Sequence, residues 1–182
     1  MQGFNWREPL FVSTADGATL TAAAEALMVV DVKIQAGYME VGSILKATMF
    51  GKASNAVTTP GTLTLRARWG GLAGTQLATS GALTQNVIVQ TDAMWWWEWY
   101  IKCITIGTAG TFRTYGVGHR RNRAAAVVAD ITPDVAPQST QAAISVDTTA
   151  DTLLSFTATP SHYGLVHLRA LSARAHSLGS AW

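Results

Sequence analysis

A chain of 182 residues is long enough to bury a core without help from metal or disulfide, and is most economically one domain. Only 13% of it is charged, about half the usual share, and the formal net charge of +2 supplies no field to draw it onto nucleic acid or membrane. A single cysteine, Cys103, excludes an intrachain disulfide and an all-cysteine metal site.

The segment Met1–Ala18 carries Phe4, Trp6 and Phe11 without a sustained period. It reads as an extended N-terminal arm (residues 1–18) with a turn at Asp16-Gly17, ahead of a single domain spanning 19–182. No apolar leader stands in Met1–Pro9, and Ala22–Val30 holds Glu25 and is too short for a bilayer. The expectation is a protein made and kept in a cytoplasm, or assembled there into something larger. Ala22–Leu27 has good helix formers, but the apolar cluster Leu27, Met28, Val29, Val30 and Val32 favours a strand.

Gly37 and Gly42 bracket a turn, Ser43–Phe50 follows as a strand, and Gly51–Gly61, rich in Ser, Asn and Thr, reads as a loop. Thr62–Trp69 alternates strictly: Leu63, Leu65, Ala67 and Trp69 share one face, Thr62, Thr64, Arg66 and Arg68 the other, the mark of a half-buried strand. Gln76–Thr84 is a short strand interrupted at Gly81. Trp95–Ile106 is the longest β-type run and is apolar on both faces, as in a central strand or one covered by a neighbouring subunit. After a turn at Gly107 and Gly110, Thr111–Val117 is the next strand. Ala124–Gln138 reads as a connector with one strand near Ala125–Ala129, and Ala142–Val146, Leu153–Ala158 and Gly164–Ala173 complete the set. About eight short strands between Gly- and Pro-bearing turns predict an all-β sandwich, a jelly roll rather than an immunoglobulin-like fold because no Cys–Trp–Cys framework is present.

Chemistry-bearing patterns are sparse. There is no Gly-x-Ser-x-Gly elbow, and Cys103 stands mid-strand without a local partner. Gly116 and Gly118 before His119 suggest a hairpin end or bulge needing positive φ rather than a nucleotide loop. His119, His162, His167 and His176 form no i, i+2 pair. Asp147 and Asp151 flank a turn that could alternatively hold a hard cation. No catalytic, cofactor-binding or metal-ligating residue is singled out, and the reading is non-enzymatic.

What remains is a candidate interface. Arg120, Arg121 and Arg123 form the one concentrated basic patch, at a strand end, fitted to a partner's carboxylates or phosphates, to a solvated loop or to contacts within the subunit. Aromatics do not interleave with it, which disfavours specific nucleic-acid binding. Trp95, Trp96, Trp97 and Trp99 could stack on sugar rings, but neighbours on a strand point to opposite faces, so core packing plus an oligomer interface is the preferred reading. Phe4 and Trp6 join the candidates from the arm.

Five stretches carry a resemblance to jelly-roll structural proteins of tailed-bacteriophage virions. They are Gly37-Tyr38-Met39 with Val41–Leu45, Gly61–Gly71, Ala78–Ala82, Thr105–Phe112 and Val146–Asp151, within a span from Leu27 to Ala173. The resemblance implies a particle component such as a capsid decoration or minor capsid protein, or a tail or fibre module. It further implies a symmetric homo-oligomer, often a trimer, seated on major capsid protein in a virion assembled in the host cytoplasm. It supplies no functional residues. The leading expectation is a decoration or cementing protein without cofactor; the alternative is a tail or fibre module that recognises host glycan. A host-derived trimeric signalling-type jelly roll is disfavoured by the absence of a leader and a disulfide.

Overall fold

The computed structural model describes residues 7–17, 19–21, 23–55, 61–84, 89–124, 127–131, 143–161 and 166–176, with the backbone alone at 7–8, 55, 90, 119–124, 127–131 and 166–176. Among the described residues there are strands and no helix. In chain order they are β1 (Arg7–Val12), β2 (Thr19–Leu20), β3 (Ala26–Leu27), β4 (Val32–Ile34), β5 (Ile44–Asn55), β6 (Thr62–Trp69) and β7 (Thr75–Thr79). There follow β8 (Leu83–Thr84), β9 (Gln90–Thr105), β10 (Gly110–Ala124), β11 (Val127–Ile131), β12 (Ile144–Val146), β13 (Thr152–Pro160) and β14 (Val166–His176).

Two antiparallel sheets result. The larger runs β1-β14-β5-β9-β10-β11, with β2 also on β14 and β12 also on β10; the smaller runs β3-β13-β6-β7, with β4 also on β13 and β8 on β6. Short strands continue one another: β1 and β2 lie in succession along β14, β3 and β4 along β13, and β8 and β7 along β6. Counting each such pair as one interrupted strand, and setting aside the β10–β12 excursion, leaves eight positions. In chain order these run 1-8-3-6 in the larger sheet and 2-7-4-5 in the smaller. That is the double Greek key of a jelly roll, widened beyond β9 by β10, β11 and β12.

Several boundaries differ from the sequence expectation. Arg7–Val12, within the stretch read as an arm, is a strand on the edge of the larger sheet. Leu27–Val32 is not one strand. Met28 N–H still donates to the Phe156 carbonyl (3.0 Å), but the chain then bulges, exposing Val30, before rejoining β13 at Val32. Asp31 Oδ1 fastens the bulge by accepting from Ser155 Oγ at 2.6 Å. Gly51–Asn55, expected as loop, continues β5, because Gln90–Met94 extends β9 to pair with it. The strand expected over Thr111–Val117 runs on to Ala124, so His119–Arg123 lies within β10, Arg120–Arg123 paired with β11 and His119 and Arg120 with β9.

The core follows side-chain parity. On β6, Leu63, Leu65, Ala67 and Trp69 are buried as the alternation predicts. On β9, Trp95, Trp97, Trp99, Ile101 and Cys103 point inward, and beside them on the same inner face are Phe112 from β10 and Leu45, Ala47 and Met49 from β5. Trp69 of the smaller sheet meets Phe112 of the larger edge-on, with ring centroids 5.1 Å apart at 76°, and its indole N–H donates to the Asp147 carbonyl at 2.9 Å. Between the two sheets, Thr114 Oγ1 of β10 donates to the Leu77 carbonyl of β7 at 2.7 Å.

The tryptophan column needs room, and β10 supplies it. Gly116 pairs with Trp99 and Gly118 with Trp97. An ideal Cβ on Gly116 would stand 2.3 Å from Trp99 Cε3, and one on Gly118 would stand 2.1 Å from Trp97 Cε3. The indole rings therefore lie across the glycines of the next strand, where a side chain would otherwise be. Neither glycine has positive φ, so the expected hairpin end or bulge is replaced by straight strand under a ring. At ~25 cal/mol per Å² and roughly 150–250 Å² per aromatic side chain, each buried tryptophan contributes about 4–6 kcal/mol before ordering entropy is charged.

Candidate functional site

The parity that buries three tryptophans sends the fourth outward. Trp95, Trp97 and Trp99 are 4%, 2% and 2% exposed and belong to the sandwich interior, which removes them from the candidate interface. Trp96 lies on the outer face of the larger sheet and is half-buried. Phe4 and Trp6 lie outside the described residues. Arg120, Arg121 and Arg123 sit on β10 opposite Ile131, Asp130 and Val128 of β11, and their side chains are outside the described set.

Around Trp96 the register assembles a face that sequence reasoning did not find. Its rows cross β5, β9 and β10: Lys52 and Met94; Phe50, Trp96 and His119; Thr48, Glu98 and Val117; Lys46, Tyr100 and Tyr115; Ile44, Lys102 and Arg113. Met94 is 59% exposed, Phe50 42% and Tyr115 46%, large values for apolar and aromatic groups side by side on one sheet. The usable signal was the parity of β9, since Met94, Trp96, Glu98 and Tyr100 are its even positions. Which residues of β5 and β10 flank them depends on a register that one strand does not encode.

At the centre of this face Glu98 accepts from Lys46 Nζ at 2.9 Å, Thr48 Oγ1 at 3.1 Å and Tyr100 Oη at 2.7 Å. Burial pushes the Glu98 carboxyl up, but the hydrogen bonds from Tyr100 and Lys46 outweigh it and hold the group below its ordinary value. The same carboxylate raises Lys46, while burial, followed by Glu98, raises the Tyr100 phenol. Tyr100 stacks on Tyr115 with centroids 4.9 Å apart at 25°, and Lys46 Nζ lies 5.2 Å from the Tyr100 centroid. The carboxylate ties three neighbours together, and Lys46 balances its charge. Lys102 and Arg113 at one end are exposed and close no salt bridge among the described residues; at the other end Asp92 pairs with Lys52 at 3.3 Å.

The opposite outer face is polar. Glu25 holds Arg68 through two hydrogen bonds (2.6 and 2.7 Å), accepts from Thr157 Oγ1 at 2.5 Å and lies 3.5 Å from Arg66. The turn carboxylates are also engaged within the fold: Asp147 Oδ1 accepts from Thr149 N–H and Oγ1, and Asp151 pairs with Lys33 at 2.7 Å and accepts from Ala36 N–H. The Asp147 contacts are those of an Asp-bearing turn.

No family model and no curated protein matches the chain. Among solved structures it is similar to one described as "Structure of infectious bursal disease virus Gx strain", at 11% identity and a TM-score of 0.24. That match covers 98% of this chain and 36% of the other, so the chain spans little more than a third of that protein's length. At this TM-score the likeness carries no argument about role.

Proposed function

We propose that the chain is a non-enzymatic structural component of a virus particle, a decoration or cementing protein on the outside of a tailed-phage head. It acts there as a symmetric homo-oligomer that joins major capsid proteins and adds contacts between capsomers after assembly in the host cytoplasm. The observation that supports this reading best is the outer face of the larger sheet. It carries exposed aromatic and apolar groups (Phe50, Met94, Tyr115), it is built on a jelly roll, and its chemistry suits burial against protein. Contacts that form only on an assembled lattice would stabilise that lattice by mass action.

The test is to add purified protein to preformed heads that lack it. Saturable binding at many copies per head, with greater resistance of the heads to heat, is the expected result; no binding sinks the proposal. The second reading, a tail or fibre module that stacks host saccharide on exposed aromatics, draws support from Trp96 and Tyr115 facing outward. It is weakened by Glu98, whose carboxylate already serves Lys46, Thr48 and Tyr100 rather than a ligand hydroxyl. Saccharide binding on a glycan array that is lost in Trp96→Ala would favour it.

A further inference from the structure

One end of the outer face of the larger sheet carries cations without counter-charge, and we propose that Lys102 and Arg113 there form a receptor for carboxylates, seating an acidic segment of the protein that covers the face. The inference rests on the reading of this face as protein-covered and names the chemistry of the partner.

The other described cations are matched within the fold. Lys33 pairs with Asp151, Lys46 with Glu98, Lys52 with Asp92, and Arg66 and Arg68 with Glu25. Lys102 and Arg113 are exposed and close no salt bridge among the described residues, and the register sets them directly opposite each other on β9 and β10. Like charges directly opposite on neighbouring strands destabilise a sheet, so the free protein holds a repulsion that a bound anion relieves. The rows around the pair supply no acidic residue. By backbone register one row runs Arg7, His176, Ile44, Lys102 and Arg113 across β1, β14, β5, β9 and β10. The next runs Pro9, Arg174, Lys46, Tyr100 and Tyr115. A formal charge of only +2 for the whole chain thus conceals a local excess at this end of the sheet.

An arginine offers a planar fork and a lysine a point charge, so the pair suits an oxyanion, and the rest of the face selects which kind. A polynucleotide or an acidic saccharide would need open aromatic planes on which to stack. Tyr100 instead has Tyr115 stacked against it, with centroids 4.9 Å apart, and Lys46 Nζ over its ring at 5.2 Å. Further along the same face Phe50 is 42% exposed and Met94 59%. Met94 lies eight residues from Lys102 on β9, about 27 Å at ~3.4 Å per residue. Exposed Phe and Met, with Arg and Lys at their rim, is the composition of a surface that meets protein. An acidic protein segment alone supplies both apolar side chains for Phe50 and Met94 and carboxylates for Lys102 and Arg113.

Fluorescence anisotropy of a labelled oligo-glutamate peptide with the purified full chain tests this, with an oligothymidylate and an alginate fragment as competing anions. The expected result is saturable, salt-sensitive binding of the peptide in preference to both competitors. Lys102→Ala and Arg113→Ala should each weaken it several-fold, and the double variant at least about tenfold. Lys33→Glu alters the net charge as much as Lys102→Glu does, yet should leave peptide binding as it was. Lys102→Glu itself gives a second, independent readout. It should abolish peptide binding and also raise the urea midpoint of the free chain, because a like-charge cross-strand pair becomes an opposite-charge one. Circular dichroism confirms that each variant is folded. Absence of peptide binding, preference for either competitor, an equal loss in Lys33→Glu, or a lowered midpoint in Lys102→Glu overturns the inference. Heads separate it from the decoration role. A chain that binds the peptide but not heads counts against that role alone, whereas heads bound equally by the parent and Lys102→Glu count against the inference and leave the role standing.

Discussion

A methyl group on Gly118 would stand 2.1 Å from Trp97 Cε3, 2.6 Å from Cδ2 and 2.7 Å from Cζ3. Carbon atoms in contact prefer about 3.5–4.0 Å, so the indole would have to retreat by about 1.4 Å. It has nowhere to go: Trp97 is 2% exposed, and Trp99 packs beside it with centroids 5.3 Å apart. Overpacking of this kind costs roughly 1–3 kcal/mol. The sign is the informative part, because Gly→Ala at an unobstructed mid-strand position stabilises by about 0.5–1 kcal/mol. Gly118→Ala should therefore lower stability by roughly 1–3 kcal/mol, a fall in Tm of about 2–12 °C for a domain of this size. Urea unfolding followed by circular dichroism measures it, at one fixed protein concentration because self-association contributes to apparent stability. The diagnostic is a cycle with Trp97→Leu. That substitution is itself destabilising, yet it empties the space the methyl needs, so the cost of Gly118→Ala should largely vanish in its background. A neutral or stabilising Gly118→Ala in the parent chain, or additivity to within about 0.5 kcal/mol in the cycle, would refute the reasoning.

Two further substitutions separate ring bulk from hydrogen bonding. The N–H of Trp69 donates to Asp147, whereas the N–H groups of Trp95, Trp97 and Trp99 are buried without an acceptor among the described residues. Trp69→Phe should therefore cost about 1 kcal/mol more than Trp97→Phe in equilibrium unfolding, and the reverse order would contradict the assignment. The Glu25 cluster gives a pH dependence. The hydrogen bond from Arg68, then those of Thr157 and the charge of Arg66, hold the Glu25 carboxyl below 4.5 against the opposing effect of burial. A group depressed on folding contributes stability that is fully present above its unfolded value and lost as pH falls through the folded one. Stability should accordingly decline below about pH 4.5, and the gap between the parent and Glu25→Gln, open at neutral pH, should narrow through that decline. A gap that stays constant into strong acid would exclude Glu25 as a source of the acid sensitivity.

How much of this was legible in the sequence depends on whether a strand's state is decided by its own residues. Thr62–Trp69 carries its alternation in plain view, and β7 and β8 break at Gly81 as the lone glycine indicated; φ there is +65°. Gly51–Asn55 could not be read, because Gly, Lys, Ala, Ser and Asn have little strand preference and acquire it only by pairing with Gln90–Met94, itself a stretch without a β signature. Gly116 and Gly118 mislead for a related reason. A glycine in sequence suggests a special φ, whereas here the cause is a ring projecting from another strand. The outer face is a product of register across β5, β9 and β10, so its members Phe50, Met94 and Tyr115 were scattered among segments that gave no reason to connect them.

Strand β9 is where packing and proposed function meet, and parity is what keeps them apart. Its odd positions fill the sandwich so tightly that β10 gives up two side chains to them. That tight interior holds β9 and its neighbours to one register, and the register in turn sets Trp96 beside Phe50 and Glu98 beside Lys46 on the other side. A face positioned by its own core loses little conformational freedom when it is covered, which is the condition under which a modest footprint becomes a useful interface. The two sides can therefore be separated by experiment. Substitutions at Trp97 or Gly118 should change stability first and association through it, whereas Met94→Lys should change association while the unfolding of the monomer stays as it was.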